Sequence, residues 1–193
     1  MNSTDSLTGE GRIGGLTLKE IRLESQIQRV SEIGLVAVQK LLSKTKAEAQ
    51  NQASNDQQVK ELTDTMRQLL KGQPEYRFSL KATTPDDQTA QLSYHLALGK
   101  EKEGEDKLPW MISLRQRLSL DADLRLPKAW LPTLADLANN PDVTPETVTD
   151  LAQTLAQQGL IIEEGNDYVA KAQLGNNQIN LNGKPLFGGG MGR

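Results

Sequence analysis

The chain has 193 residues, 36% of them apolar, and a formal net charge of −3 at pH 7. It holds no cysteine and one histidine, which excludes a disulfide scaffold, thiol catalysis, thiolate-bound zinc and a histidine-rich metal centre. The negative balance argues against nucleic-acid binding by bulk charge, and no apolar run approaches the ~18 residues that a membrane-spanning helix needs.

Residues 1–15 and 188–193 read as flexible ends around one domain at 16–187. From Leu16 the pattern has period two. Leu16 and Leu18 lie on one parity, and Ile21, Leu23, Ser25 and Ile27 resume on the other. That slip predicts a half-buried strand bulged at Lys19-Glu20. Ser31 is placed to cap a helix carrying Leu35, Val38 and Leu42. Residues 44–58 lack large apolar side chains and form either the far end of a helical hairpin or a flexible tip. Val59, Leu62, Met66, Leu69 and Leu70 restore a helical stripe, which Gly72 and Pro74 stop.

After Pro74 the period returns to two. Tyr76, Phe78, Leu80 and Ala82 make one strand, and Ala90, Leu92, Tyr94, Leu96 and Leu98 its hairpin partner across a Thr83–Gln88 turn. Beyond a charged loop, Ile112, Leu114, Leu118, Leu120, Ala122, Leu124 and Leu126 share even positions. This predicts a single strand over 111–126, dry on one face and wet on the other. Pro127 starts a short helix with Trp130, Leu131, Leu134 and Leu137. Thr144 caps another, with Thr147 where a capping box carries Glu. Strands at 160–162, 168–172 and 178–181 close the chain, separated by Gly-Asn turns. The order predicts an α+β fold: a twisted antiparallel sheet with long strands, one face covered by a helical hairpin and further helices.

Several of these pieces together carry a resemblance. They are the helical pair ending at Leu69-Leu70, the hairpin from Tyr76 to Leu98, the amphipathic strand running into Leu126-Pro127-Lys128, the helices ending at Gln158-Gly159-Leu160, and the closing Leu181-Asn182-Gly183-Lys184-Pro185-Leu186. In this order they resemble the C-terminal half of the bacterial YdgA/YihF-type proteins. That family of unknown function lies in the Gram-negative cell envelope and is sometimes grouped with AsmA-like proteins. The resemblance spans about residues 10–187, and the closing hexapeptide is its most specific element. The chain departs from the pattern at the hairpin turn, where the family tends to have Gly and this sequence has Pro85-Asp86-Asp87. In the family an N-terminal membrane anchor and a further β-rich half precede this region. The resemblance therefore implies the C-terminal half of a larger envelope protein, periplasmic and membrane-anchored only in a longer form. It implies a non-enzymatic role and brings no catalytic residue, metal or cofactor.

Three constellations invite chemistry. His95 lies on the polar parity of its strand, as do Asp121 and Asp123 on theirs, and a hydrolase would need those three to converge. Cross-strand ion pairing with Arg115, Arg117 and Arg125 explains the two carboxylates more simply. Residues 144–172 resemble half of a winged helix, a protein-interaction module. Six acidic residues from Asp142 to Asp167 stand against Lys171 alone, so DNA phosphate would be repelled. The third is the dry face of the 111–126 strand. Ile112, Leu114, Leu118, Leu120 and Leu124 are the candidate lining of a groove for a lipid or another apolar ligand. The default cover is the chain's own helices, and the remaining alternative is the missing half of the protein or a partner, either another envelope protein or a second copy.

Overall fold

A computed structural model describes residues 2–13, 15–37, 39–40, 55–101, 110–138, 140, 142–175 and 178–187. Expectations for residues 41–54, for most of the charged loop at 102–109 and for the 188–193 tail lie outside these. Among the described residues, nine strands form one open antiparallel sheet. They are β1 (Ser3–Ile13), β2 (Leu16–Gln28), β3 (Glu75–Thr83), β4 (Thr89–Leu98), β5 (Leu118–Pro127), β6 (Ile162–Glu164), β7 (Asp167–Gly175), β8 (Gln178–Leu181) and β9 (Lys184–Phe187). The spatial order is β1-β2-β3-β4-β5-β7-β8-β9, and β6 pairs with β7 alone. The helices are α1 (Asn55–Leu70), α2 (Trp110–Arg117), α3 (Leu131–Leu137) and α4 (Pro145–Gln157), with a 3-10 turn at Lys128–Trp130 and helical residues at 32–37. The α+β class and the antiparallel sheet agree with the sequence.

Two expectations fail. Residues 3–13, read as part of a flexible end, form β1 along the edge of β2. The 111–126 stretch is not one strand. Trp110–Arg117 is helical and only Leu118–Pro127 is extended. Helix α2 ends with Arg115 and Arg117 in its last turn, a favourable place for cations near helix carbonyls. The long strands are instead β1, with 11 residues, and β2, with 13.

The predicted bulge is present. Gly9 pairs with Ile21 and Gly11 with Leu18, so the Lys19-Glu20 insertion keeps Leu18 and Ile21 on the same face. At the β3–β4 turn, Asp87 adopts φ 67°, the left-handed conformation that a glycine would otherwise supply. Thr84 N–H donates to the Gln88 carbonyl at 2.9 Å, and the Lys19 ammonium holds the Asp87 carboxylate. Lys19 thereby keeps the Asp87 carboxyl below its usual range. Pairing and backbone geometry thus account for the departure from glycine at this turn.

The core lies at one end of the sheet. Trp130 packs with Leu18 and Ala82, and Leu131 with Ala152 and Tyr168, while Leu126 is shared by both clusters. The Thr144–Thr147 capping box starts α4, with Thr147 N–H donating to Thr144 Oγ1 at 3.2 Å and Thr144 N–H to Thr147 Oγ1 at 2.8 Å.

Candidate functional site

Antiparallel register places directly opposed residues on a common face. Leu7, Leu23, Leu80, Leu92, Leu124 and Ala170 are successive partners across β1, β2, β3, β4, β5 and β7. They make one apolar row transverse to six strands. A second row runs Phe78–Tyr94–Ala122–Ala172–Leu181, and a third Ile27–Tyr76–Leu96–Leu120–Leu174–Ile179. The face is therefore apolar from β3 to β8, because these strands alternate in phase, while Ser25 of β2 and Ser3 and Asp5 of β1 continue the rows as polar residues at the β1 edge.

Its cover is uneven. The Leu126–Tyr168 end lies beneath the 3-10 turn, α3 and α4. At the other end Leu98 is buried. Between them the leucine row stays open: Leu92 is 39% exposed, Leu124 38% and Leu7 69%. Leucines at the centre of a nine-stranded sheet are ordinarily covered by another layer. Phe78 stacks on Tyr94 with ring centroids 5.1 Å apart, and Tyr76 tilts against Tyr94 at 5.6 Å. Hydrogen bonding with Tyr76 raises the Tyr94 phenol above its ordinary value.

Of the five expected groove residues, the structure brings Leu118, Leu120 and Leu124 together on this face of β5. Ile112 and Leu114 sit on α2 instead, with Ile112 exposed and Leu114 half-buried. Pattern alone could not tell a short helix from strand here. The rest of the face, Leu7, Leu23, Leu80, Leu92 and the aromatic trio, becomes a site only once the strand register is known.

The opposite face is polar. His95 pairs with Asp121 across β4–β5, next to Arg77 and Gln173 in the same row. His95 Nε2 stands 3.8 Å from Glu75 Oε2, and Asp121 Oδ1 accepts from Gln173 Nε2 at 3.1 Å. Asp123 is opposite Ser93 and Lys171. The expected pairing of these carboxylates with the arginines is not what forms. Arg125 instead bonds Asp167 at 2.5 Å and Glu164 at 2.9 Å, and Arg115 and Arg117 belong to α2. Among the described residues no group of three or more His, Asp or Glu is placed to hold a metal.

The winged-helix reading fails on topology. β7 is an interior strand paired with β5 and β8, so residues 144–172 are not a separate module. Three of its acidic residues are structural anchors: Glu163 bonds Lys128, and Glu164 and Asp167 hold Arg125. The pairing with Asp167 raises the Arg125 guanidinium above its usual range, and Glu163 does the same for the Lys128 ammonium.

Two cavities lie beside the helices. One, of about 760 Å³, lies between the 3-10 turn, α4 and the β6 hairpin and includes Lys128, Gln153, Ile161 and Tyr168. The other, of about 380 Å³, lies between α1 and α2 at the end where β5 begins.

The closing Leu-Asn-Gly-Lys-Pro-Leu motif has a clear structural task. Asn182 and Gly183 adopt φ 52° and 77° in a two-residue turn between β8 and β9. Asn182 Nδ2 donates to the Gly159 and Leu160 carbonyls at 3.0 and 3.1 Å, and its Oδ1 accepts from Lys171 N–H at 2.8 Å. One side chain thus ties the end of α4 to β7 and the last hairpin. A profile described as a bacterial protein of unknown function, DUF945, matches residues 5–187. The chain belongs to that family. The DUF945 match covers every described strand except the first two residues of β1. No curated protein and no solved structure matches the chain. No described helix of this DUF945 member is long and apolar enough to cross a membrane.

Proposed function

We propose that this DUF945 domain is a non-catalytic binding domain of the bacterial cell envelope whose open sheet face takes an apolar, lipid-like ligand. The observation that carries the reading is the leucine row. Fully burying a leucine is worth roughly 1.5–3 kcal/mol, so leaving Leu92 and Leu124 partly in water at mid-sheet forgoes stabilisation that a covering ligand would restore. Exposed contiguous apolar surface of this kind marks binding surfaces in soluble proteins. Helices stand over one end of the face and leave its middle open, which suits an extended apolar chain. The envelope setting rests on the resemblance to the YdgA/YihF-type and AsmA-like proteins, and extraction of apolar material from or along a membrane fits that setting. The hydrogen bond from Gln173 to Asp121 supports a structural rather than a catalytic task for that carboxylate.

Native mass spectrometry of protein purified from bacterial cells, followed by solvent extraction of its lipids, tests this. The expected result is a co-purifying apolar molecule that is lost on Leu92→Asn or Leu124→Asn. Both positions are partly exposed, so the variants are expected to fold. Wild-type protein free of such a molecule, and unable to take one up from mixed-lipid vesicles, would overturn the reading.

A further inference from the structure

We propose that the cavity between α1 and α2 is the headgroup site of an anionic amphiphile whose apolar part lies on the leucine face. This rests on that face being a ligand surface and specifies which end of the ligand is charged.

The cavity of about 380 Å³ is within the range of small-molecule sites and gathers Arg67, Lys71 and Arg117 against Asp64 and Glu101. Arg117 is the informative residue. Its side chain is only 10% exposed, yet its contacts among the described residues are sparse for a buried cation. Nε donates to the Gly99 carbonyl at 3.0 Å, and Nη1 stands 3.8 Å from Glu101 Oε2, beyond hydrogen-bond reach. A guanidinium has five N–H donors in a rigid fork. Burying one costs several kcal/mol unless its donors are satisfied, and a carboxylate or phosphate satisfies two of them at once. The Gly99 contact fixes the base of the fork, and among the described residues the remaining donors are left for a ligand in the cavity. Lys71, at the end of α1, adds a second cation, and Ser113 and Leu114 of α2 complete the wall.

Placement links this charge to the apolar face. Arg117 directly precedes Leu118, which opens β5 opposite Leu98. From Leu118 the dry side of β5 runs through Leu120 and Ala122 to the exposed Leu124, six residues and about 20 Å away. A ligand with an anionic head at Arg117 would pass the buried Leu98 beside Leu118 and lay an acyl chain along β5 into the open leucine row. Neutral apolar ligands would use the row alone.

Isothermal titration of the full chain with lysophosphatidylglycerol, with an uncharged monoacylglycerol of equal chain length and with inorganic phosphate tests this, all below micellar concentrations. The anionic amphiphile is expected to bind about tenfold tighter than the neutral one, and Lys71→Gln and Arg117→Gln to remove that advantage while leaving monoacylglycerol binding unchanged. Lys71 is exposed, so Lys71→Gln tests the site even if Arg117→Gln does not fold. Equal affinity for both amphiphiles, or an anionic preference untouched by Lys71→Gln, overturns the headgroup site and leaves the apolar surface standing. Phosphate binding as tightly as the lysolipid also overturns it, since the cavity would then be a plain anion site. Binding of neither amphiphile overturns both proposals.

Discussion

Gly34 packs its backbone directly against Leu69 of α1. A Cβ added at Gly34 would stand 2.5 Å from the Leu69 nitrogen and 2.9 Å from the Gln68 carbonyl carbon. No flexible side-chain tip is involved, so neither helix can yield locally. Gly72 plays the matching part at the foot of α1, where a side chain would strike the Arg29 carbonyl oxygen. The helical pair read from the sequence is thus held at a closer approach than its apolar stripe implies.

Gly34→Ala is therefore expected to destabilise the protein by about 1–3 kcal/mol, the usual cost of overpacking, despite the better helix propensity of Ala. Thermal unfolding checks it. The control is Gly9→Ala on β1, where an added Cβ meets nothing within 4 Å and the melting temperature should stay close to that of the parent. A neutral Gly34→Ala would mean the two helices do not touch at this point.

Asn182 carries a second expectation. Removing its side chain strands carbonyls at the end of α4 and an N–H of β7, and leaves a non-glycine residue at φ 52°. Asn182→Ala should cost about 2–3 kcal/mol in urea unfolding. Asn182→Gly loses the same hydrogen bonds but tolerates the backbone, so it should cost less. An alanine variant within about 0.5 kcal/mol of the parent would show that the motif does not act through this clamp.

The apolar face predicts an alkaline signature. Tyr94 titrates above its ordinary 10.0, chiefly through Tyr76 and secondarily through desolvation. The folded state thus favours the neutral phenol. That contribution is fully present below pH 10.0 and is lost as pH rises through the raised folded value. Absorbance titration near 295 nm should resolve a late-ionising tyrosine among the three in the chain, and Tyr76→Phe should move it down. An unchanged titration curve in Tyr76→Phe would remove the proposed contact.

Much of the architecture is legible in the residues because alternation and helical spacing are local. The two hairpin strands around Pro85, the Lys19-Glu20 bulge, the threonine capping box and the Gly165-Asn166 turn all follow from side chains within a few positions of one another. Two elements defeated that local logic. β1 has only Leu7 and Ile13 as large apolar residues, so period two is invisible, and pairing with β2 alone makes it a strand. In α2 the even positions Ile112 and Leu114 fit a strand, yet eight residues are too few for either period to be decisive.

Residue chemistry thus determined the α+β class, the antiparallel sheet and its greasy side, because hydrophobic periodicity is written along the backbone. Only the tertiary structure decided that five leucines from five strands line up as one open row, that His95 faces Asp121, and that Arg117 lies buried beside Lys71. Those meetings depend on register and helix placement across long loops, and side chains dozens of residues apart carry no local mark of which partner they will meet.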